Sequence, residues 1–426
     1  MVPFVLERLL PGQRVAAGEW FGFIIGILKE AGLESFPKEP MLFRGAKEGD
    51  MTNLVLHADD GLLASTPEAR AHLKAKLEEK VVVQFSKPAI QVGDEFEFLK
   101  RRYILEQDGV VMFSNNKHLE GLIKALGAQT RFRETPADNS FLEKDSSQEL
   151  PEATARVFRE CLGRLLYLSH SRPDVQFATC ALASSMAKPT VGAMRKLCRT
   201  VGYLAKVPVL GFFIKPVQDR ACLGKPSGVA LEPGGVIILE SVTDADWGGN
   251  KADRRSQRSV ALSSGESEFI ATVAGAGEML YVKECMEFAL KGYATVEATA
   301  RTDSAASRGI SQRIGCGRVR HLDCGLLWLQ DAVKRGLLRV GPIAGSRNPA
   351  DIGTKPLCGP KLRELLWRSG AMTDSGERYG EKIIAGDGNG GFEGLGLVTA
   401  SNFLEEFVIG TTSAMTMRWQ EEYVER

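Results

Sequence analysis

The pattern of apolar and polar positions divides the chain into regions of different predicted secondary structure. Residues 1–128 mix helical and strand periodicities, residues 129–238 are helical, and residues 239–370 alternate strands with helices. Residues 371–426 contain the glycine-rich run 386–391, which predicts a flexible tail with a short helix near residues 400–408. The sequence therefore predicts an α/β (α+β) protein built from three domains and a tail.

Within each region the periodicity predicts individual elements. In the first region we expect helices over residues 20–32 and 66–80, a strand–turn–strand unit over 53–64, and a hairpin over 96–114 that turns at Asp108-Gly109. In the second region we expect helices over 151–169, 175–187 and 190–206. In the third region we expect strands over 236–242, 296–302 and 337–343, and helices over 264–290, 304–312 and 321–335.

Composition adds only broad limits on function. The 426 residues are 44% hydrophobic and 25% charged, which excludes global disorder. The net charge is +1, so any case for a nucleic-acid partner must be argued from local clusters. Glu7 and Arg8 interrupt the first apolar run, and the apolar stretch Phe21–Leu28 is too short to span a bilayer. With eight scattered cysteines, the sequence predicts an intracellular protein with no membrane partner.

Two neighbouring carboxylates, Asp59 and Asp60, lie at the predicted turn between two short apolar strands. Adjacent carboxylates repel each other, and a divalent cation is the usual way for both to stay ionised. Asp60-Gly61 is also an ordinary turn sequence. Spacing alone leaves the metal site and the plain turn both open.

Four further acids lie beside strand ends or helix starts of the third region, and they are Asp244, Glu268, Asp303 and Asp351. If they converge, they form a carboxylate cluster that suits two Mg²⁺ ions and metal-assisted phosphodiester cleavage. Any one of these acids alone is equally explained as a helix cap or a surface charge. Their joint arrangement carries the hypothesis.

A basic cluster lies on the predicted helix over residues 190–206. Arg195, Lys196 and Arg199 suit contacts to the phosphates of a nucleic acid. The alternative is a helix face whose charges are simply solvated.

Taken together, several segments resemble the reverse transcriptase and RNase H region of copia-type retrotransposon Pol polyproteins. The resemblance covers residues 10 to about 370 in order and spacing. It is carried by His57–Asp60, Leu162–Leu168, Ser171–Asp174, Asp244–Gly249, Asp253–Ser256, Ala261–Ser264 and Ala350–Lys355.

The resemblance implies a fold, a chemistry and substrates. It implies a partial reverse transcriptase palm (1–128), a helical thumb or connection (129–238) and an RNase H-like mixed sheet flanked by helices (239–370). It further implies an RNA–DNA hybrid or other nucleic acid as partner, and a cytoplasmic or nuclear location. Asp244, Glu268, Asp303 and Asp351 would then be the magnesium-binding catalytic acids of the nuclease, and Asp59 and Asp60 would be two of three metal-binding polymerase acids.

Departures from the family pattern limit the activities that the resemblance implies. The third polymerase acid belongs upstream of this chain, so DNA synthesis by this chain alone is not expected. Only residues 257–260 separate Ser256 from Ala261, where the family has two more strands, so the RNase H-like sheet is expected to be short by two strands. Two hypotheses follow, a Mg²⁺-dependent nuclease acting on hybrids and a catalytically inactive remnant that binds nucleic acid.

Overall fold

The computed structural model describes residues 13–47, 50–107, 109–127, 130–214, 235–245, 261 and 263–379, and the backbone of residues 412–419. Helices and strands alternate through these residues, which confirms the predicted α+β class. The helices are α1 (Ala16–Glu30), α2 (Pro67–Glu78), α3 (Lys117–Leu126), α4 (Glu152–Ser169), α5 (Gln176–Ala183), α6 (Val191–Lys206), α7 (Ser264–Ala289), α8 (Ala305–Ser311), α9 (Trp328–Lys334), α10 (Asp351–Thr354) and α11 (Gly359–Arg368). Within the described part of the chain, none of them is long and apolar enough to cross a membrane.

In the part of the chain that the structure describes, the strands form three sheets. They are β1 (Leu33–Phe36), β2 (Glu39–Gly45), β3 (Asn53–His57), β4 (Asp60–Ala64), β5 (Val81–Phe85), β6 (Glu95–Phe98), β7 (Arg101–Glu106), β8 (Gly109–Phe113), β9 (Gly211–Ile214), β10 (Gly235–Thr243), β11 (Ala294–Thr302), β12 (Arg339–Pro342), β13 (Ala371–Met372) and β14 (Thr412–Trp419). The sheet orders are β1-β2-β3-β4-β14-β5, β13-β9-β8-β7-β6 and β10-β11-β12.

The first sheet is antiparallel and is covered on one face by α1 and α2. Residues of β3 alternate between two cores, because successive side chains of a strand point to opposite faces. Leu54 and Leu56 pack with the buried leucines and isoleucines of α1 and α2. Val55, between them, packs in a second core with residues of the β6–β8 hairpins. The strand–turn–strand unit predicted over residues 53–64 is confirmed.

A helical core occupies the middle of the chain and is built from α3 to α6 with α10 and α11. At its centre a charged side chain is completely enclosed. Arg172 donates hydrogen bonds to both carboxylate oxygens of Asp174, at 2.9 and 2.7 Å, and to the carbonyl oxygen of Val207 at 2.9 Å. The hydroxyl of Tyr203 donates to the same carboxylate at 2.8 Å. This network ties the loop before α5 to the end of α6.

The third sheet is parallel in the described residues, with β11 between β10 and β12. The resemblance predicts a mixed sheet that is short by two strands; the described strands pair only in parallel, and residues 246–260 lie outside the described residues, so the missing strands stay a prediction. Helices α7, α8 and α9 pack on this sheet around Phe269, Ala300 and Leu329.

Helix α7 joins the third sheet to the first two, so the cores cross the predicted domain boundaries. Its first half packs on the parallel sheet, and its second half, with Val282 and Cys285, packs in the core that contains β3 and β4. The ring of Phe288 stacks on Phe36 with centroids 5.1 Å apart, and Tyr281 donates a 2.8 Å hydrogen bond to Glu39. The division at residues 128, 238 and 370 stays a prediction.

Two short segments of the predicted tail (371–426) form strands, and the flexibility of the tail stays a prediction. Residues 371–372 form β13, which pairs with β9, and residues 412–419 form β14, which pairs with both β4 and β5. In this position β14 satisfies the backbone donors and acceptors that the neighbouring edges of β4 and β5 would otherwise expose. The helix expected near residues 400–408 falls outside the described residues.

The enclosed Arg172–Asp174 pair makes a sharp prediction about stability. Substitution Asp174→Ala leaves the guanidinium buried without its counter-charge, and we expect a loss of about 3–5 kcal/mol in the free energy of unfolding measured by urea denaturation. The matched control is Glu152→Ala, which breaks the exposed Glu152–Arg159 pair and should cost at most about 1 kcal/mol. Equal effects of the two substitutions would contradict this account of the core.

Candidate metal centre

Parallel pairing of β10 with β11 brings two of the predicted acids to one edge of the sheet. The register pairs Gly235 with Ala294 at one end and Thr243 with Thr302 at the other. Asp244 directly follows β10 and Asp303 directly follows β11, so both residues lie at the carboxyl edge of the sheet. Ligand sites of open α/β sheets are commonly at this edge.

Helix α7 brings the third acid, Glu268, to the same edge. The helix begins at a serine cap, where the hydroxyl of Ser263 accepts a 3.2 Å hydrogen bond from the amide of Glu266. Gly275 lets the helix approach β10 closely, because a Cβ there would lie 2.5 Å from Cγ2 of Thr243. The hydroxyl of Thr272 lies 3.4 Å from that of Thr243. Glu268 is one helical turn before Thr272 and so lies beside the end of β10.

The carboxylates of Asp244, Glu268 and Asp303 converge, each offering an oxygen within 4.8 Å of the others. Burial raises the pKa of Glu268 to about 7, and the negative charges of Asp244 and Asp303 act in the same direction. Oε2 of Glu268 is buried and has no hydrogen-bond partner among the described residues. A buried, unsatisfied oxygen next to two more carboxylates is an environment that a divalent cation would satisfy.

Asp351, the fourth predicted acid, reaches the site from the helical core rather than from the parallel sheet. It begins the short helix α10, whose Ile352 is buried among α3 to α6. The backbone of Gly353 lies against Gln176 of α5, where a Cβ would be 2.8 Å from the side-chain oxygen. The side-chain amide (Nδ2) of Asn348 donates a 3.4 Å hydrogen bond to the carbonyl oxygen of Thr243 and so joins this segment to the end of β10.

A lysine that sequence reasoning missed links Asp351 to the three-acid cluster. Nζ of Lys355 lies 2.5 Å from Oδ1 of Asp351 and 3.2 Å from Oδ2 of Asp244. The hydroxyl of Thr354 donates a hydrogen bond to Asp244. Burial raises the pKa of Asp351 although Lys355 opposes the shift. The spacing of the two residues is the signal that could have identified the pair, because Asp351 begins α10 and Lys355, four residues later, directly follows its end.

Another missed contact lies on the first turn of α7. Nε2 of His321 is 3.0 Å from Oε2 of Glu266, two residues before Glu268. Glu266 is buried and His321 is exposed. The histidine therefore lies at the rim of the site rather than among the three converging acids.

The other acid pair, Asp59 and Asp60, lies apart from this cluster at the tip of the β3–β4 hairpin. Asp60 pairs with His57 across the turn, and Ala58 has a positive φ of 57°. The indole nitrogen of Trp20 donates a 2.9 Å hydrogen bond to the carbonyl oxygen of Ala58 and fixes the turn against α1. Asp59 is exposed. This geometry matches the plain turn and leaves the metal-binding role of the pair a prediction.

The predicted nucleic-acid cluster on α6 is partly used within the protein. Arg199 forms a 2.9 Å ion pair with Asp138 and donates to the hydroxyl of Thr135. Nζ of Lys196 lies over the ring of Phe141, 5.7 Å from its centroid. Arg195 is exposed. Contacts of this trio to nucleic acid stay a prediction.

The chain is similar to Pol polyproteins of transposons. It is 22% identical over 382 residues to the "Retrovirus-related Pol polyprotein from transposon RE1" of Arabidopsis thaliana, an alignment that covers 83% of this chain and 24% of that protein. It is 24% identical over 383 residues to the "Retrovirus-related Pol polyprotein from transposon TNT 1-94" of Nicotiana tabacum, covering 82% of this chain and 27% of that protein. The corresponding polyprotein from transposon RE2 of Arabidopsis thaliana is 24% identical over 231 residues, 50% of this chain and 15% of its own length.

This chain thus spans about a quarter of the length of the first two relatives. No family model matches the chain. No solved structure matches it either.

The raised pKa of Glu268 predicts a pH-dependent stability in metal-free buffer. A shift from the ordinary value of 4.5 to about 7 makes the ionised form costly, by roughly 3 kcal/mol for a fully buried group. Solvent at this half-buried position reduces the cost to about 1–2 kcal/mol. Glu268→Gln should therefore raise the melting temperature in EDTA at pH 8, where the wild-type carboxyl is charged.

The gain should shrink as the pH falls through 7 and vanish below 4.5, because the wild-type carboxyl is then neutral in both folded and unfolded states. Glu278→Gln, an exposed position on the same helix, is the control and should show no such dependence. A pH-independent gain at Glu268 would contradict the electrostatic explanation.

Proposed function

We propose that this protein is part of a retroelement-derived Pol polyprotein and carries an RNase H-type nuclease, a Mg²⁺-dependent hydrolase of RNA in RNA–DNA hybrids. The observation that carries the proposal is the convergence of Asp244, Glu268 and Asp303 at the carboxyl edge of the parallel sheet. The similarity to Pol polyproteins of transposons supports the same class of protein.

The residues present fit a metal. Asp244, Glu268 and Asp303 would hold Mg²⁺. Asp351 is linked to this cluster through Lys355, which forms ion pairs with both Asp351 and Asp244. Bound Mg²⁺ would activate water and stabilise the charge that develops on the leaving oxygen. The chain's own contribution is to hold three carboxylates together despite their repulsion. Thr354 and Lys355 orient Asp244 from the side of the helical core.

A nuclease-inactive, nucleic-acid-binding remnant is the second candidate, and a specific contact favours it. The ammonium of Lys355 already forms ion pairs with both Asp244 and Asp351, so a metal ion that binds between those two acids would have to displace it. The remnant would hold nucleic acid through basic side chains without cleaving it.

Cleavage of a labelled RNA–DNA hybrid separates the two candidates. In Mg²⁺ we expect the chain to cleave the RNA strand, and Asp244→Asn to lower the rate by roughly 100-fold or more, because it removes a carboxylate charge from the metal site. The control is Asp331→Asn on the exposed face of α9, which should leave the rate unchanged. Absence of cleavage by the wild type, together with salt-sensitive binding that Asp244→Asn preserves, would favour the remnant.

For the polymerase half, we propose that Asp59 and Asp60 are two acids of a polymerase metal site. Two carboxylates at an exposed turn do not position two metal ions. In a primer-extension assay with Mg²⁺ and deoxynucleotides, this chain alone should add no nucleotides. Extension that Asp59→Asn abolishes would overturn this expectation.

A further inference from the structure

An exposed aromatic ring between two arginines lies on the surface of the helical core. Residues Arg131-Phe132-Arg133 precede α4 and run beside α6, and the side chain of Phe132 is 75% exposed. Scattered exposed apolar residues are common, so exposure alone indicates nothing. The surroundings of this ring carry the argument.

The backbone that carries Phe132 is fixed against α6. A Cβ on Gly202 would collide with the carbonyl oxygen of Arg131, so the segment touches the helix where only glycine leaves room. The amide of Arg133 donates to the carbonyl oxygen of Gly202 at 3.4 Å. Just beyond, the hydroxyl of Thr200 donates to the carbonyl oxygen of Pro136 at 3.0 Å. The ring is therefore presented to solvent by packed backbone.

The acids beside the segment are already paired with other cations. Glu134 forms ion pairs with Lys206 and Arg363. Asp138 forms its ion pair with Arg199. Among the residues that the structure describes, Arg131 and Arg133 have no ion-pair partner, and both are exposed. Their charges are available to an external anion.

We infer that Arg131, Phe132 and Arg133 form a binding site for single-stranded nucleic acid, in which an unstacked base lies on the Phe132 ring and the two arginines contact neighbouring phosphates. Single strands are bound by such a combination of aromatic stacking and backbone electrostatics. A duplex keeps its bases stacked, so the ring would find no partner there. The inference goes beyond the proposed nuclease, since it concerns a surface on the helical core and requires no metal.

Fluorescence anisotropy with labelled 12-nucleotide single-stranded RNA and DNA, measured in EDTA on the full chain, tests the inference. Phe132→Ala should weaken binding about 5- to 100-fold, because it removes the aromatic ring on which the base stacks. Phe132→Trp should retain binding, and Phe132→Leu should not. The control is Ile314→Ala, at another exposed apolar side chain (84% exposed).

The arginines are tested through salt dependence. Replacing both Arg131 and Arg133 by Ala should reduce the slope of log affinity against log salt by about 1.4, because each phosphate of a single strand that a cationic side chain neutralises contributes about 0.7 to that slope. The control is Arg156→Ala, an exposed arginine on α4, which should leave the slope unchanged.

Three outcomes would overturn the inference: binding of neither oligonucleotide, an unchanged affinity in Phe132→Ala, or equal binding by Phe132→Leu and Phe132→Trp, which would indicate an apolar protein contact. A preference between RNA and DNA identifies which strand the site takes, and binding of either supports the site. Binding through Phe132 without hybrid cleavage would overturn the nuclease and leave this site standing.

Discussion

Repulsion among three carboxylates is the constraint on which the rest of the candidate site depends. Asp244, Glu268 and Asp303 stay within 4.8 Å because the strands and the helix that carry them are packed elsewhere along their length. Parallel pairing of β10 with β11 and the close approach of α7 at Gly275 fix their positions. Burial first, and then the charges of Asp244 and Asp303, raise the pKa of Glu268, and a bound cation would favour its ionised form.

The site is assembled from two cores rather than one. The parallel sheet and its helix α7 supply three acids, whereas Asp351 and Lys355 come from a segment whose Ile352 is buried in the helical core. Asn348 joins the two parts through the carbonyl oxygen of Thr243. Since α7 also shares a core with the first sheet, the geometry of the acids depends on packing over most of the described chain. This explains why the helical region and the acidic cluster form one structural unit.

The basic side chains of this protein differ in whether they are paired within the protein or available to an external anion, and their position in the fold decides which. Arg172 is enclosed and serves the core, and Arg199 is committed to Asp138. Lys355 forms ion pairs with two acids of the candidate site. Arg131 and Arg133 face solvent, and the acids next to them pair with other cations. The near-zero net charge of the whole chain conceals this division.

Sequence periodicity by itself determined the α+β class and several of the elements, because amphipathic spacing is a local property of the chain; the helix predicted over 321–335 is shorter, since α9 begins at Trp328. The helices α4, α6 and α7 and the strands β10 and β11 lie where their patterns place them. The positions of Asp244, Glu268 and Asp303 beside strand ends or helix starts also identified the acids that converge. Only the tertiary structure decided that β14 inserts between β4 and β5, that Asp351 enters through the helical core, and that Lys355 bridges two acids. The physical reason is that most of these contacts join residues far apart along the chain, and no local pattern specifies which of them will meet.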